Sequence, residues 1–285
     1  MNYATKPLLR MIRCMHPHRL GFIGFGHMAK VLFESIDRSK IVPRSHIGFR
    51  QRDTGKMKLN EQRFGITSAS LPKLIEQSDL LFLCVRPQQL ENALKEISEA
   101  GGLRGKWLIS ILAGIPIARF QKAFGDGTEV LRAMPNLCSA VGEGMSALCY
   151  SSGCSLEFRE AGNALFGASG EIAEVPESLM DVVVGMSGSG PGFVFRLIEA
   201  MARMGEKSGM SYSTALKMAA QTFAGAAKLI LKGALPADLL VQIAVPQGTT
   251  QAGLDVMNRL ELDKKFQAVL EAAAHRSAEL RLPNS

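Results

Sequence analysis

Six consecutive residues, Val245–Thr250, place a proline, a glycine and two adjacent hydroxyls in a region otherwise rich in Ala and Leu. Pro246 fixes one backbone angle, and Gly248 permits a tight turn. Thr249 and Thr250 are predicted to begin the next helix. Because the unpaired backbone N–H groups at a helix start attract carboxylates and phosphates, this loop is a candidate anion site. The alternative is an ordinary loop with a threonine cap.

A second candidate is the glycine turn Gly24-x-Gly26-x-x-Ala29, which follows a predicted strand and opens a predicted helix. The glycines let the backbone approach a pyrophosphate, and Ala29 lets the helix pack closely on the sheet. The helix start then faces the anion, so the turn predicts dinucleotide binding. The predicted cofactor contacts in this turn are Gly24, Gly26, His27, Met28 and Ala29.

Two arginines, Arg50 and Arg52, follow the second predicted strand and bear on which dinucleotide is bound. An acid at this position favours NADH through the ribose hydroxyls, whereas guanidinium groups suit a 2′-phosphate. The pair therefore predicts NADPH, with NADH as the alternative. The other interpretation is that one or both arginines face solvent, and Asp53 is an acid close by.

Three later segments, Val85–Gln88, Ser110–Gly114 and Met134–Asn136, fall at or beyond the carboxyl ends of predicted strands. Ligands bind at that edge of an open α/β sheet. Arg86 is placed to contact a phosphate or ribose, and two small residues leave room for a flat nicotinamide ring. The predicted cofactor contacts here are Val85, Arg86, Pro87, Ala113, Gly114 and Asn136, each of which could also lie in a plain turn.

The elements that must position these residues alternate between strands and helices in the first part of the chain. Apolar runs predict strands at Leu20–Ile23, Ile47–Phe49, Leu80–Val85 and Trp107–Ile111. This order predicts an α/β fold with a Rossmann-type, doubly wound sheet. We expect a flexible extension at 1–18, an NAD(P)-binding domain at 19–175, and an all-α dimerisation and substrate domain at 176–285.

One helix of the second part, predicted from about Ser213 to Lys232, carries many small residues. Gly233 and Pro236 supply its stop signals. The small residues allow a second helix to approach closely, either within the chain or across a dimer interface. These residues are Ala219, Ala220, Ala224, Gly225 and Ala227.

Composition excludes several classes of protein. The chain of 285 residues is 47% hydrophobic and 21% charged, and no run approaches the roughly 18 apolar residues of a membrane span. The net charge of +7 is scattered and few aromatics accompany it, so neither nucleic-acid binding nor membrane binding is expected. Five cysteines without C-x-x-C spacing favour reduced thiols in the cytoplasm, and the separated histidines predict no metal site.

Six motifs, in this order, resemble the pyrroline-5-carboxylate reductases, which make proline by reducing a cyclic imine with NAD(P)H. They begin at Gly21, Val85, Met134, Val141, Gly185 and Val245. The resemblance implies a helical dimerisation domain whose intertwined partner helps to complete the active site. It also implies a homodimer, or a larger oligomer built from dimers, that takes a small cyclic imino acid.

The resemblance also assigns roles at the substrate. Thr250 matches the catalytic donor to the ring nitrogen, and Thr249 matches a residue whose backbone N–H holds the carboxylate. Gly248 and Glu177 match further substrate-binding positions, Glu177 as an acid. Hydride transfer to a protonated imine needs orientation and charge stabilisation more than a strong base, which fits the absence of an evident catalytic histidine.

The chain departs from the family pattern at several positions. The family usually reads Ser-Pro-Gly-Gly before the threonine pair, whereas this chain has Val245 and Gln247 at the first and third positions. His27 and Leu137 are further departures. Two alternatives therefore stand beside the expected activity: a related reductase of another cyclic imino acid or keto acid, and a non-catalytic dinucleotide-binding regulator.

Overall fold

A computed structural model describes residues 18–280 of the chain. By internal packing the chain divides into two compact units. The first comprises the residues up to Gly188 together with those from Ala273 onward, and the second is Ser189–Ala272. The flexible extension predicted at 1–18 lies outside the described residues except for His18. The domain boundary at 175/176 stays a prediction, because compact units and functional domains need not coincide.

An eight-stranded sheet forms the centre of the first unit, in the order β3-β2-β1-β4-β5-β6-β7-β8. All neighbouring strands are parallel except β6 and β7. This order confirms the predicted Rossmann-type, doubly wound sheet. The strands are β1 (Leu20–Ile23), β2 (Ile47–Arg50), β3 (Thr67–Ser68), β4 (Leu80–Leu83), β5 (Trp107–Ser110), β6 (Val130–Met134), β7 (Gly144–Tyr150) and β8 (Gly170–Glu174).

Helices connect these strands, as parallel pairing requires. They are α1 (His27–Ser39), α2 (Thr54–Phe64), α3 (Leu71–Gln77), α4 (Leu90–Glu99), α5 (Ile117–Phe124) and α6 (Leu156–Gly167), and a further helix, α7 (Met180–Val183), follows β8. Short 3-10 turns lie at Arg44–His46, Pro87–Gln89, Leu137–Val141 and Glu177–Leu179, and a π-helical turn spans Val184–Gly188.

The inner strands are apolar because helices cover both faces of the sheet. Every residue of β1 and β4 is buried. Phe22 and Phe82 stack at 4.6 Å between ring centroids, and Phe25 lies 4.6 Å from Phe49. These aromatic contacts fix the position of the turn that follows β1.

The strands whose ranges were not predicted from the sequence lie toward the edges or carry charge, and they include β6, although a strand was expected to end near Met134. β3 has two residues, and β8 reads Gly-Glu-Ile-Ala-Glu, in which no apolar run stands out. β6 has an arginine at its centre. Local pattern reports such strands poorly, because their pairing depends on partners distant in sequence.

The second unit is helical throughout. It contains α8 (Gly190–Lys207), α9 (Tyr212–Leu231), α10 (Pro236–Ile243), α11 (Thr249–Arg259) and the first part of α12 (Leu262–Glu279). The helix predicted from Ser213 to Lys232 is confirmed as α9. Only three residues of this unit are buried in the single chain, namely Ala202, Ala215 and Ala219. No helix within residues 18–280 is long and apolar enough to cross a membrane.

Candidate functional site

A pocket of about 310 Å³ opens at the carboxyl ends of β1, β2 and β4. Open α/β sheets bind ligands at this edge. The pocket contains six of the predicted cofactor contacts, which are Gly24, Gly26, Arg50, Arg52, Val85 and Arg86.

The glycine turn shapes one wall of this pocket. Gly24 has a φ of 89° and donates its N–H to the Arg50 carbonyl at 2.9 Å. A Cβ atom at Gly24 would lie 2.8 Å from the Cys84 carbonyl oxygen, so only glycine fits. Gly26 is the N-cap of α1, and a Cβ there would meet no atom within 4 Å. The helix start therefore opens onto empty space that an anion could fill.

The pocket is rich in positive charge. Its lining includes Arg50, Arg52, Lys56 and Arg86, against two acids, Asp53 and Glu96. Arg50 donates to the Gln51 carbonyl. Arg52 Nη2 lies 3.1 Å from Glu96 Oε1. This arrangement suits a ligand that carries phosphate groups.

Asp53, the acid near the arginine pair, caps α2. Its carboxylate accepts the Lys56 backbone N–H at 2.9 Å, and Lys56 Nζ lies 3.6 Å away. The backbone hydrogen bond from Lys56 holds the pKa of Asp53 below its usual value. Asp53 therefore stabilises the start of α2, and its carboxylate is engaged there.

The remaining residues of the glycine motif support the turn from outside the pocket. His27 and Met28 begin α1 without lining the pocket, and Ala29 is buried against the sheet. Pro87 begins the short 3-10 turn after Arg86. The cofactor contacts of these four residues stay predictions.

Gly114 is not beside open space, which differs from the expectation that it leaves room for a ring. Its φ is 76°, and a Cβ there would lie 2.5 Å from the Ser277 carbonyl oxygen and 2.8 Å from Leu280 Cβ. The close approach of the chain after Ala273 explains the glycine. Neither Ala113 nor Gly114 lines the pocket at the sheet edge, and their cofactor contacts stay predictions.

Asn136 joins three segments of the first unit. It is buried, and its Oδ1 accepts from the backbone N–H groups of Cys138 at 3.2 Å and Met145 at 3.3 Å. Its Nδ2 donates to the Ser187 carbonyl at 3.2 Å. These bonds give the side chain a structural role in the π-helical turn, and a cofactor contact stays a prediction.

Glu177 is also engaged within the first unit. Its Oε1 accepts the Ile117 N–H at 2.8 Å and lies 3.1 Å from Arg132 Nη1. The buried Arg132 also lies 3.7 Å from Asp181, whose Oδ1 accepts from Ser277 at 2.8 Å. Thus Glu177 belongs to a partly buried ionic cluster, and its predicted role as a substrate-side acid stays a prediction.

The loop Val245–Thr250 lies in the second unit and ends, as predicted, at a helix start: α11 begins at Thr249. The left-handed residue is Gln247, with φ 60°, whereas Gly248 is extended with φ −80°. Gly248 is required for a different reason than expected, since a Cβ there would lie 2.7 Å from Val245 Cγ2. No side chain among the described residues caps this helix, and its first turn contains no acid. Its N–H groups are available to an anion.

Several residues that line the pocket were not predicted as cofactor contacts, among them the polar residues Lys56, Gln89 and Glu96. Lys56 and Glu96 lie on helices whose rotation relative to the sheet the sequence pattern does not fix. Within residues 18–280 the structure contains no group of three or more His, Cys, Asp or Glu placed to hold a metal ion.

The sheet order, the glycine turn and the basic pocket define an α/β protein of the Rossmann class, whose members bind dinucleotides at this edge. The family model described as NADP oxidoreductase, coenzyme F420-dependent, matches residues 19–114. The model described as pyrroline-5-carboxylate reductase dimerisation matches residues 177–280.

Relatives that match along the whole chain identify the family within the Rossmann class. A pyrroline-5-carboxylate reductase of Methanosarcina acetivorans is 36% identical, over 93% of this chain and 99% of its own. One of Arabidopsis thaliana is 33% identical over 92% of this chain and 95% of its own. The crystal structure of Plasmodium falciparum pyrroline carboxylate reductase with NADP bound matches at a TM-score of 0.83 and 26% identity, over 94% and 100% of the two chains. The chain therefore belongs to the pyrroline-5-carboxylate reductase family.

Proposed function

We propose that this protein reduces 1-pyrroline-5-carboxylate to L-proline with NADPH as the hydride donor. The observation that carries the proposal is the similarity to pyrroline-5-carboxylate reductases, which extends along almost the whole chain and through both compact units. The basic pocket at the sheet edge and the uncapped helix start at Thr249 supply the two kinds of site that this reaction needs.

The first unit is proposed to hold the cofactor. The helix start at Gly26 would face the pyrophosphate, because a Cβ-free turn lets the backbone come close. Arg50, Arg52 and Lys56 would surround the 2′-phosphate. When bound, the nicotinamide supplies the hydride that reduces the imine carbon.

The loop before α11 is proposed to bind the substrate. The backbone N–H of Thr249, at the start of an uncapped helix, would donate to the carboxylate. The Thr250 hydroxyl would hydrogen-bond the ring nitrogen and orient the imine. No strong base is needed, because reduction adds a proton to the ring nitrogen and removes none. The nitrogen lone pair that accepts the Thr250 hydrogen bond takes up this proton from solvent.

Replacing Thr250 tests this assignment. We expect Thr250→Ala to lower kcat about 10- to 1000-fold, the range for loss of one aimed donor. Thr67→Ala is the control, because Thr67 is an exposed threonine of β3 outside both proposed sites, and its rate should stay near the wild-type value. Oxidation of NADPH followed by absorbance, together with the Kd for NADPH, measures both effects.

The result that would reject the role is a Thr250→Ala variant that turns over at the wild-type rate. Val245 and Gln247 make the choice of substrate a separate question, so the same assay should include six-membered and open-chain imino acids. A preference for one of these would favour the related-reductase alternative. Tight NADPH binding without turnover on any substrate would favour a regulatory protein.

We also propose a homodimer, or a larger oligomer built from dimers, with the second unit as its interface. That unit buries only three residues by itself, too few for a stable core. Its apolar side chains are instead exposed in the single chain. The most exposed are Met204, Leu231, Leu235, Val241 and Ile243.

The proposed location is the cytoplasm. Cys84, Cys138, Cys149 and Cys154 are all free thiols, which suits a reducing compartment. Burial raises the pKa of Cys84, so this thiol stays protonated in the wall of the pocket. The proposed small-molecule partner is a cyclic imino acid, and no role with nucleic acid or membrane is proposed.

A further inference from the structure

One ion pair joins two walls of the pocket at the sheet edge. Arg52 lies between β2 and α2, and Glu96 lies on α4. Arg52 Nη2 is 3.1 Å from Glu96 Oε1, and both residues line the pocket. The two side chains are 50% and 48% exposed, so either can move away from the other at small cost.

The other acid of the pocket is committed elsewhere. The Asp53 carboxylate accepts the Lys56 N–H as the cap of α2 and pairs with Lys56 Nζ. Glu96 is therefore the acid whose partner, Arg52, belongs to the set of cations proposed to meet a 2′-phosphate. A phosphate that takes Arg52 must displace the Glu96 carboxylate or share the guanidinium with it.

We propose that Glu96 is a specificity-determining residue, which lowers the preference for NADPH over NADH by holding Arg52 away from the 2′-phosphate. This inference rests on the proposed function of the pocket. A phosphate dianion and a carboxylate that compete for one guanidinium repel each other. The 2′-hydroxyl of NADH is neutral and can donate a hydrogen bond to a carboxylate, so NADH does not suffer this competition.

The variant Glu96→Gln tests the inference, because it keeps the shape of the side chain and removes the charge. We expect the Kd for NADPH to fall about two- to fivefold, the scale of one exposed ion pair. The Kd for NADH should stay the same or rise. Titration of the purified protein with each nucleotide, followed by calorimetry, gives both constants without relying on turnover.

Glu91→Gln is the matched control. Glu91 lies on the same helix and pairs with an arginine, Arg119, at 3.2 Å, but it does not line the pocket. Its loss should leave the ratio of the two constants unchanged. An equal gain in both variants would mean that the general charge of α4 is responsible, and would overturn the inference.

A double variant shows whether Glu96 changes NADPH affinity through Arg52. In Arg52→Gln protein, we expect Glu96→Gln to lose most of its gain in NADPH affinity. A gain that persists undiminished there, an unchanged nucleotide ratio, or weaker NADPH binding in Glu96→Gln would each overturn the inference. Wild-type protein that binds neither nucleotide would instead reject the proposed function itself, so the two failures are distinguishable.

Discussion

Gln247 shows how a single residue can keep a loop shape that another residue would adopt more readily. Its φ of 60° lies in the left-handed region, where side chains other than glycine are strained by about 1 kcal/mol. The family pattern has glycine at this position. This chain therefore places an amide side chain in the loop of the proposed substrate site, at a backbone position that glycine adopts more readily.

Relief of this strain can be measured. We expect Gln247→Gly to raise the free energy of unfolding by roughly 0.5–1 kcal/mol, because glycine adopts a positive φ without strain. Urea denaturation of both proteins gives the difference. The control is Gln221→Gly in the interior of α9, which should lower stability by about 1 kcal/mol. A loss of stability at both positions would contradict the left-handed assignment.

The sequence predicts the position of a residue when that position follows from local chain geometry. Gly24 and Gly26 belong to a turn directly after a strand, and Arg50 and Arg52 follow the next strand, so all four could be placed at the sheet edge. Glu96 could not be placed there, since it lies on α4, 44 positions beyond Arg52. Its place in the pocket depends on how α4 packs.

Among the elements, β6 is unusual because a fully buried arginine lies at its centre. Arg132 is 2% exposed and is held by Glu177 and Asp181. Burial of a charge is tolerated only when opposite charges and hydrogen bonds compensate it. The cluster thus ties β6 to the segment that follows β8.

Breaking this cluster should be strongly destabilising. We expect Arg132→Met to lower the free energy of unfolding by about 3–5 kcal/mol, because it removes the guanidinium that compensates the buried Asp181 carboxylate and the half-buried Glu177. Arg119→Met removes an arginine whose acid, Glu91, is exposed, and should lower it by less than about 1 kcal/mol. Chemical denaturation measures both. Similar small losses for the two variants would show that the Asp181 and Glu177 carboxylates become protonated or hydrated without penalty.

The ranges of strands and helices were predicted where the sequence pattern is local, and they were missed where pairing depends on distant residues. The apolar runs of β1, β2, β4 and β5 and the stop signals of α9 are visible within a few residues. β6 contains a charge whose partners lie 45 and more positions away. Long-range pairing of this kind leaves no periodic signal in the sequence.

The exposed apolar surface of the second unit predicts that the whole molecule assembles with a second copy of the chain. Val241 on α10 is 80% exposed in the single chain, and Leu231 at the end of α9 is 74% exposed. Surfaces of this kind are normally covered by a partner, and the family model matched over 177–280 is that of a dimerisation region.

A charge placed on this surface should dissociate the assembly. We expect Val241→Asp to raise the dimer dissociation constant at least about tenfold, since a carboxylate would be buried without a partner. Analytical ultracentrifugation over a dilution series measures the constant. Leu59→Asp on α2, where Leu59 is 65% exposed, should leave the dimer intact. Unchanged dimers in Val241→Asp would place the interface elsewhere.

The return of the chain to the first unit after Ala273 also governs the order in which the protein can mature during synthesis. Ser277 donates to Asp181, and the Ser277 carbonyl and Leu280 fill the space beside Gly114. These groups leave the ribosome after the entire second unit. The first unit is therefore completed only after the second unit has been translated, when Ser277 becomes able to donate to Asp181.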